Sequence, residues 1–498
     1  MRISSVASDY VRLKVDSLIM FCDEEGLKTN PIVKKLNDSL KGALKRAFHS
    51  GEFEGKLNQS VVLHSVAGIA AARIVLAGIG SLNKLTDDSY RQAAGTVSNL
   101  PAVKNSRSAA FFFGDGESAG RASAVVEGFL LGHFEMNDYK SKSDDKSDKL
   151  DSVYFVAKNK AWSHQIKDAI VRGQIVADGV ILARRLAAHP GNFLPPRKFA
   201  EQAKSLARRH RLGFKALNET QMRAEKMGAL LAVAQGSHEA PRFVILEYRG
   251  TKKFLDPIVL IGKGITFDSG GISLKPGLDM WEMKGDMQGG AIVLAALVTS
   301  ARLNLPLNIV GLIPLAENMP SSKALKPGDI VKSRKGKTIE IISTDAEGRL
   351  ILADALDYAN EFKPQAVVDI ATLTGAALYV LGYAGAPILG NNGKLMDGIR
   401  AASEATAEKV WEMPLWDEYR EQMKSSIADL KNSGGKPAGT IAAAAFLENF
   451  VGDWPWAHID IAYVDLEKGG RPYTPKGASG FGLRLLVELL SGWRKLQK

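Results

Sequence analysis

Four unbroken apolar runs in the second half of the chain constrain its fold more than any other feature. They are Phe243-Val244-Ile245-Leu246, Pro257-Ile258-Val259-Leu260-Ile261, Leu307-Asn308-Ile309-Val310-Gly311-Leu312-Ile313 and Ala366-Val367-Val368-Asp369-Ile370. A strand with one wet face alternates apolar and polar residues, so runs like these predict strands buried on both faces. Helical segments such as residues 290–301 separate them. The predicted architecture is α/β: a mostly parallel sheet covered by helices on both faces, with its site where loops converge at the strand ends.

Ahead of this lie shorter apolar runs at residues 60–64, 72–77, 109–113 and 153–156, alternating with helical patterns. They predict a smaller N-terminal α/β domain over 1–162. Residues 163–187 keep apolar positions at helical spacing until His189-Pro190-Gly191-Asn192 interrupts them, so 163–190 reads as a linking helix and 191–498 as the larger C-terminal domain. Residues 140–149 carry no apolar side chain and predict a mobile surface loop. The long apolar stretch 366–389 contains Asp369 and several glycines, so it reads as buried strand and loop and not as a membrane span. The N-terminus has no apolar signal core, and the single cysteine, Cys22, allows no internal disulfide. Both point to the cytoplasm.

The net charge of +11 is concentrated mid-chain, with 17 basic against 8 acidic residues over 151–250. Arg184, Arg185, Arg197, Lys198, Lys204, Arg208, Arg209, Arg211 and Lys215 face one acid, Glu201. Such density attracts phosphate backbones, although a solvated helix face or a subunit contact is the more ordinary reading.

Acids and bases gather in two glycine-punctuated segments. One runs from Gly262-Lys263-Gly264 through Asp268-Ser269-Gly270-Gly271 and Lys275 to Met283-Lys284-Gly285-Asp286; the other is Ser343-Thr344-Asp345-Ala346-Glu347-Gly348-Arg349. Both begin where an apolar strand ends. Only His458 of the eight histidines lies beyond residue 238, so a histidine-built zinc site is excluded there and any metal centre must be rich in acids. Asp268, Asp286, Asp345 and Glu347 offer the oxygen ligands that divalent cations favour, with Asp345 and Glu347 two apart on an expected extended segment. Lys275 and Arg349 stand ready to meet developing negative charge. The alternative is that the glycines make turns while the acids cap helices. A phosphate-binding loop around Lys263 fails, since Gly264 stands where Ser or Thr is required.

These segments, with Asp369-Ile370-Ala371-Thr372-Leu373-Thr374-Gly375 and Ala438-Gly439-Thr440-Ile441, resemble the leucyl aminopeptidase family, including its bacterial aminopeptidase A branch. The resemblance implies a metal-dependent enzyme that removes leucine-like N-terminal residues from short peptides. It implies two divalent ions, Mn²⁺ or Zn²⁺. One would sit on Asp268, Asp345 and Glu347, with the Asp345 carbonyl; the other on Lys263, Asp268, Asp286 and Glu347. It makes Lys275 and Arg349 catalytic, the latter through a bound bicarbonate that takes a proton from a bridging water. Met283, Thr372, Leu373 and Gly375 would contact the substrate. A homohexamer built as a dimer of trimers is implied as well, with the N-terminal domain serving assembly. The resemblance also supplies an alternative, a DNA-binding architectural or regulatory role. Two positions depart from the family pattern: Ser343 stands where asparagine is usual, and Gln288 where a small residue is usual.

Overall fold

The computed structural model describes residues 1–29, 31–64, 67–112, 118–141, 150–157, 159–251 and 256–494. Its chain forms two compact units, residues 1–178 with 468–476, and residues 179–467 with 477–498.

In the first unit six strands, β1 (Arg2–Ala7), β2 (Ser17–Asp23), β3 (Ser60–His64), β4 (Arg73–Gly80), β5 (Ser108–Phe112) and β6 (Ser152–Ala157), form a sheet in the order β1-β6-β5-β2-β4-β3. All its pairings are parallel except β3 with β4. Consecutive residues of β2 enter opposite cores: Ile19 packs with Val75 and Phe111, Leu18 and Met20 with Ile74 and Leu76. Reading by runs misses β1 and β2. β1 is an edge strand with exposed ends, and β2, Ser-Leu-Ile-Met-Phe-Cys-Asp, is bracketed by polar residues. Phe113 and most of the expected surface loop, residues 142–149, lie outside the described residues.

The second unit holds a nine-stranded sheet. In chain order its strands are β7 (Gly213–Leu217), β8 (Arg242–Arg249), β9 (Ile258–Gly262), β10 (Gly264–Asp268) and β11 (Asn308–Asn318). A small separate sheet contains β12 (Ile330–Lys332), β13 (Thr338–Glu340) and, later, β17 (Leu430–Lys431). The main sheet resumes with β14 (Ala366–Ala371), β15 (Ala386–Gly390), β16 (Val410–Glu412) and β18 (Trp456–Asp460). Its order is β16-β15-β18-β14-β9-β11-β8-β7, with β10 also paired to β11. The central pairings β18-β14-β9-β11 are parallel, while β7, β8 and β15 join antiparallel. Each residue of β9 and of β14 is buried, as expected for strands covered on both faces.

The helix Gln288–Arg302 is apolar almost all round and is buried from Gln288 to Ser300. The helix Lys160–Ala188 spans the predicted 163–187. The stretch 366–389 proves to hold two strands, β14 and the start of β15, and a short helix, Ala377–Leu381, between them. Hydropathy could not separate these pieces, because all are apolar. No helix among the described residues is long and apolar enough to cross a membrane.

Candidate active site

The parallel strands deliver their C-terminal ends to one place. Lys263 follows β9, Asp268 ends β10, Thr372 follows β14 and Asp460 ends β18. Asp286 precedes the helix Gln288–Arg302, and Glu347 is the N-cap residue of the helix Gly348–Tyr358. The expected extended segment through Asp345 and Glu347 is a turn: Glu347 is already helical, with φ −76° and ψ −36°. Gly348 begins that helix because the Lys263 side chain runs against it; a Cβ there would lie 2.8 Å from Nζ.

Asp268, Asp286 and Glu347 are buried and offer carboxylate oxygens all within 4.8 Å of one another. Lys263, only 2% exposed, lies among them with Nζ 2.8 Å from Asp286 Oδ2, 2.9 Å from Glu347 Oε1 and 2.8 Å from the Thr372 carbonyl. Three acceptors match the three protons of an ammonium. Burial alone would lower its pKa, but Asp286, Glu347 and Asp268 outweigh that and hold it above the ordinary lysine value.

Lys275 Nζ lies 2.8 Å from Asp268 Oδ2 and also pairs with Asp345 Oδ1. Asp345 is the least enclosed of the four acids, and its carboxylate joins the cluster through Lys275. Burial, with Asp268 and Glu347 nearby, raises the Asp345 pKa to about 6 against the pull of Lys275. Burial likewise raises Asp268, and raises Asp286 strongly. Glu347 goes the other way: burial opposes ionisation, yet Lys263 and Lys275 lower its pKa.

Four carboxylates against two ammonium groups leave the cluster two positive charges short, in a place where like charges raise each other's cost. Glu347 Oε2, fully enclosed, receives no hydrogen bond among the described residues. Hard oxygen donors, a charge deficit and an unused buried acceptor fit divalent cations. Arg349, in the first turn after Glu347, donates from Nη1 to the Asn432 carbonyl at 2.8 Å, and its buried Nε meets no acceptor among the described residues. Burial lowers its pKa to about 10. A small anion would satisfy both its charge and its free donor.

The other predicted residues fall around this cluster. Thr372 donates from Oγ1 to Asp286 Oδ1 at 2.6 Å. Leu373 packs its side chain against the hydrophobic core, Gly375 is exposed, and Met283 sits half-buried in the 3-10 turn Met280–Gly285 just ahead of Asp286. Ser343, in place of asparagine, accepts the Asp345 N–H at 3.3 Å and so supports the local turn.

Three supporting residues escaped the sequence reading. Asn318, at the end of β11, donates to Asp268 Oδ1 at 2.8 Å and to the Thr344 carbonyl at 3.0 Å. Asn432, just after β17, accepts the Ile342 N–H and donates to the Ser343 carbonyl. Asp460, wholly buried, accepts the Leu373 N–H at 3.0 Å and the Thr374 hydroxyl at 2.6 Å, which fixes the loop carrying Thr372. Thr374 has one proton, given to Asp460, so the 2.7 Å contact with Thr440 must be donated by Thr440. Asn318 and Asp460 gave one sequence signal, position, since each closes an apolar strand; Asn432 follows the two-residue strand Leu430–Lys431 and gave none.

A buried carboxylate and lysine cluster at the ends of a mostly parallel sheet has the donor set and charge that suit the centre of a metal-dependent hydrolase. Residues 181–487 match the model of the cytosol aminopeptidase family catalytic domain, and residues 18–143 match that family's N-terminal domain. The probable cytosol aminopeptidase of Geobacter sulfurreducens is 44% identical over 494 residues, covering 98% of this chain and 99% of that one. A Pseudomonas aeruginosa relative of the same name is 42% identical, covering 96% of this chain and 97% of its own. Among solved structures, a mutant tomato leucine aminopeptidase superposes with a TM-score of 0.89 at 34% identity, covering 98% and 96% of the two chains. The bottromycin maturation enzyme BotP, solved in complex with Mn, gives 0.84 at 34% identity, covering 96% and 99%. The chain belongs to the cytosol aminopeptidase family. It is accordingly an aminopeptidase, a metallo-exopeptidase of two-domain α/β fold.

Proposed function

We propose that the protein releases leucine-like N-terminal residues from short peptides, using two divalent cations, Mn²⁺ or Zn²⁺. The observation that carries this reading is the convergence of Asp268, Asp286 and Glu347 around Lys263. Asp268, Asp345 and Glu347 would hold one ion, and Lys263, Asp268, Asp286 and Glu347 the other. When bound, the ions supply Lewis acidity and a water of lowered pKa. The chain's own residues then divide the remaining work. Lys275, whose ammonium is poised between Asp268 and Asp345, meets the negative charge that develops on the scissile carbonyl. Arg349 would retain a bicarbonate as proton acceptor, consistent with its free Nε. Met283, Thr372, Leu373 and Gly375 would frame the substrate's first residue, and its free α-amine would bind at one ion of the pair. That requirement confines cleavage to the N-terminal bond.

We read the protein as cytoplasmic and as a hexamer of two trimers, with the N-terminal unit serving assembly. The purified protein is expected to release leucine from leucyl amide with Mn²⁺ or Zn²⁺ present, and to lose that activity on exhaustive chelation and regain it when the ion is restored. Full turnover after chelation contradicts the proposal.

A second role in DNA binding has one observation in its favour. Lys204, Arg208, Arg209, Arg211 and Lys215 are exposed and form no ion pair among the described residues. By contrast Arg197 and Lys198 both pair with Glu201, and Arg184 is buried, donating from Nε to the Ser479 carbonyl. The basic last turn of the helix Pro196–His210 also suits its own dipole. Duplex DNA should therefore shift at low salt and shift less with Arg208→Glu, Arg209→Glu and Arg211→Glu combined; no shift at low salt removes this role.

A further inference from the structure

Tyr463 is a bulky side chain on left-handed backbone, with φ +70°. Glycine would hold that conformation without strain, whereas a non-glycine residue persists there only when its surroundings enforce it. Those surroundings come from the site on both sides. Two residues before it, Ile461 N–H donates to the Ala371 carbonyl at 2.8 Å, immediately ahead of Thr372, and Asp460 accepts the Ala462 N–H at 3.2 Å. Two residues after it, Asp465 Oδ1 accepts the Tyr463 N–H at 3.0 Å, while Oδ2 accepts from Gln288 Nε2 at 2.9 Å. Gln288, which departs from the family pattern two residues after Asp286, thus acquires a purpose: it braces the strained turn.

The turn aims the phenol at the candidate substrate loop. A Cβ built on Gly375 would have the Tyr463 hydroxyl, at 3.7 Å, as its one neighbour within 4 Å. The ring meets Tyr383 edge to face at 6.0 Å. The hydroxyl makes no hydrogen bond among the described residues. Burial and the neighbouring Tyr383 and Tyr379 raise its pKa, and Lys275 opposes them.

We propose that Tyr463 is a specificity-determining residue, its phenol walling the pocket beside Gly375 so that aliphatic first side chains enter and large aromatic ones are excluded. This rests on the substrate reading of Gly375 given above. A wall of this kind discriminates by volume, as pockets do when a substrate is one group too large. The strained backbone is what places it.

The test is kcat/KM of the full-length, Mn²⁺-loaded protein for leucyl and tryptophanyl amides. Tyr463→Gly, which suits the backbone and removes the ring, is expected to raise the tryptophan-to-leucine ratio by about tenfold or more. Relief of the left-handed strain works against the loss of the Tyr383 contact, so the variant should remain folded. Tyr463→Phe keeps the volume and should leave the ratio within about twofold. If Tyr463→Gly does not fold, Tyr463→Asn, whose side chain also tolerates left-handed backbone, must give the same rise. An active wild type whose ratio these variants leave unchanged or lower overturns this inference alone. A wild type that releases no N-terminal residue overturns the proposed function together with it.

Discussion

Replacing Glu347 by alanine or glutamine should reduce kcat by roughly 10³-fold or more, about 4 kcal/mol of barrier, while leaving the protein folded. Glu347, like Asp268, is placed to serve both proposed ions, and its Oε2 is a buried acceptor that nothing in the described structure uses. Its removal also lessens the crowding of negative charge, and Lys263 keeps Asp286 and the Thr372 carbonyl as partners. The fold therefore loses little. Glu347→Gln preserves volume and can still accept from Lys263, so it separates loss of charge from loss of packing. Circular dichroism and steady-state rates on both variants check this, and retained turnover with a normal spectrum would refute the role.

Lys263→Met should have the opposite balance, with a large effect on stability even in the absence of turnover. The substitution keeps most of the side-chain volume and removes the one charge that two buried carboxylates contact directly. In chelator-treated protein this is expected to cost about 3–5 kcal/mol, the usual penalty for orphaning buried charges. The sign with pH follows from the shifts. Lys263 is held above its ordinary value, so in the wild type its ammonium persists throughout the neutral range. In the variant Asp286, already inclined to protonate, can take up a proton as pH falls. The deficit should accordingly be greatest above neutrality and shrink towards pH 5. Urea midpoints of the two chelated proteins measure it, and equal midpoints at pH 8 would show that the ion pairs carry no net stability.

The large-scale organisation was readable because it rests on strong, repetitive signals. Strands β8, β9, β11 and β14 are the four apolar runs, and their burial on both faces is what unbroken hydrophobicity demands. The acids were readable too, since acids following apolar strands are conspicuous. Periodicity could not say how they meet. Lys263 contacts Asp286, Glu347 and Thr372, groups separated by long stretches of sequence and gathered only by the order of the parallel strands. The turn at Asp345 was misread as extended because β13 ends sooner than the apolar pattern, at Glu340, leaving Ile341 and Ile342 outside it. Asn318, Asn432 and Asp460 gave little warning, as their importance lies in hydrogen bonds to distant backbone. Tyr463 gave none, because nothing in its type announces a positive φ.

Metal titration of the intact, chelator-stripped protein, followed by calorimetry and by metal analysis after dialysis, addresses the paired-ion centre at its root. Two Mn²⁺ or Zn²⁺ ions per chain are expected in the wild type, and fewer in Glu347→Ala. Saturation at one ion or none in a folded wild-type protein, or an unchanged count in Glu347→Ala, would contradict it.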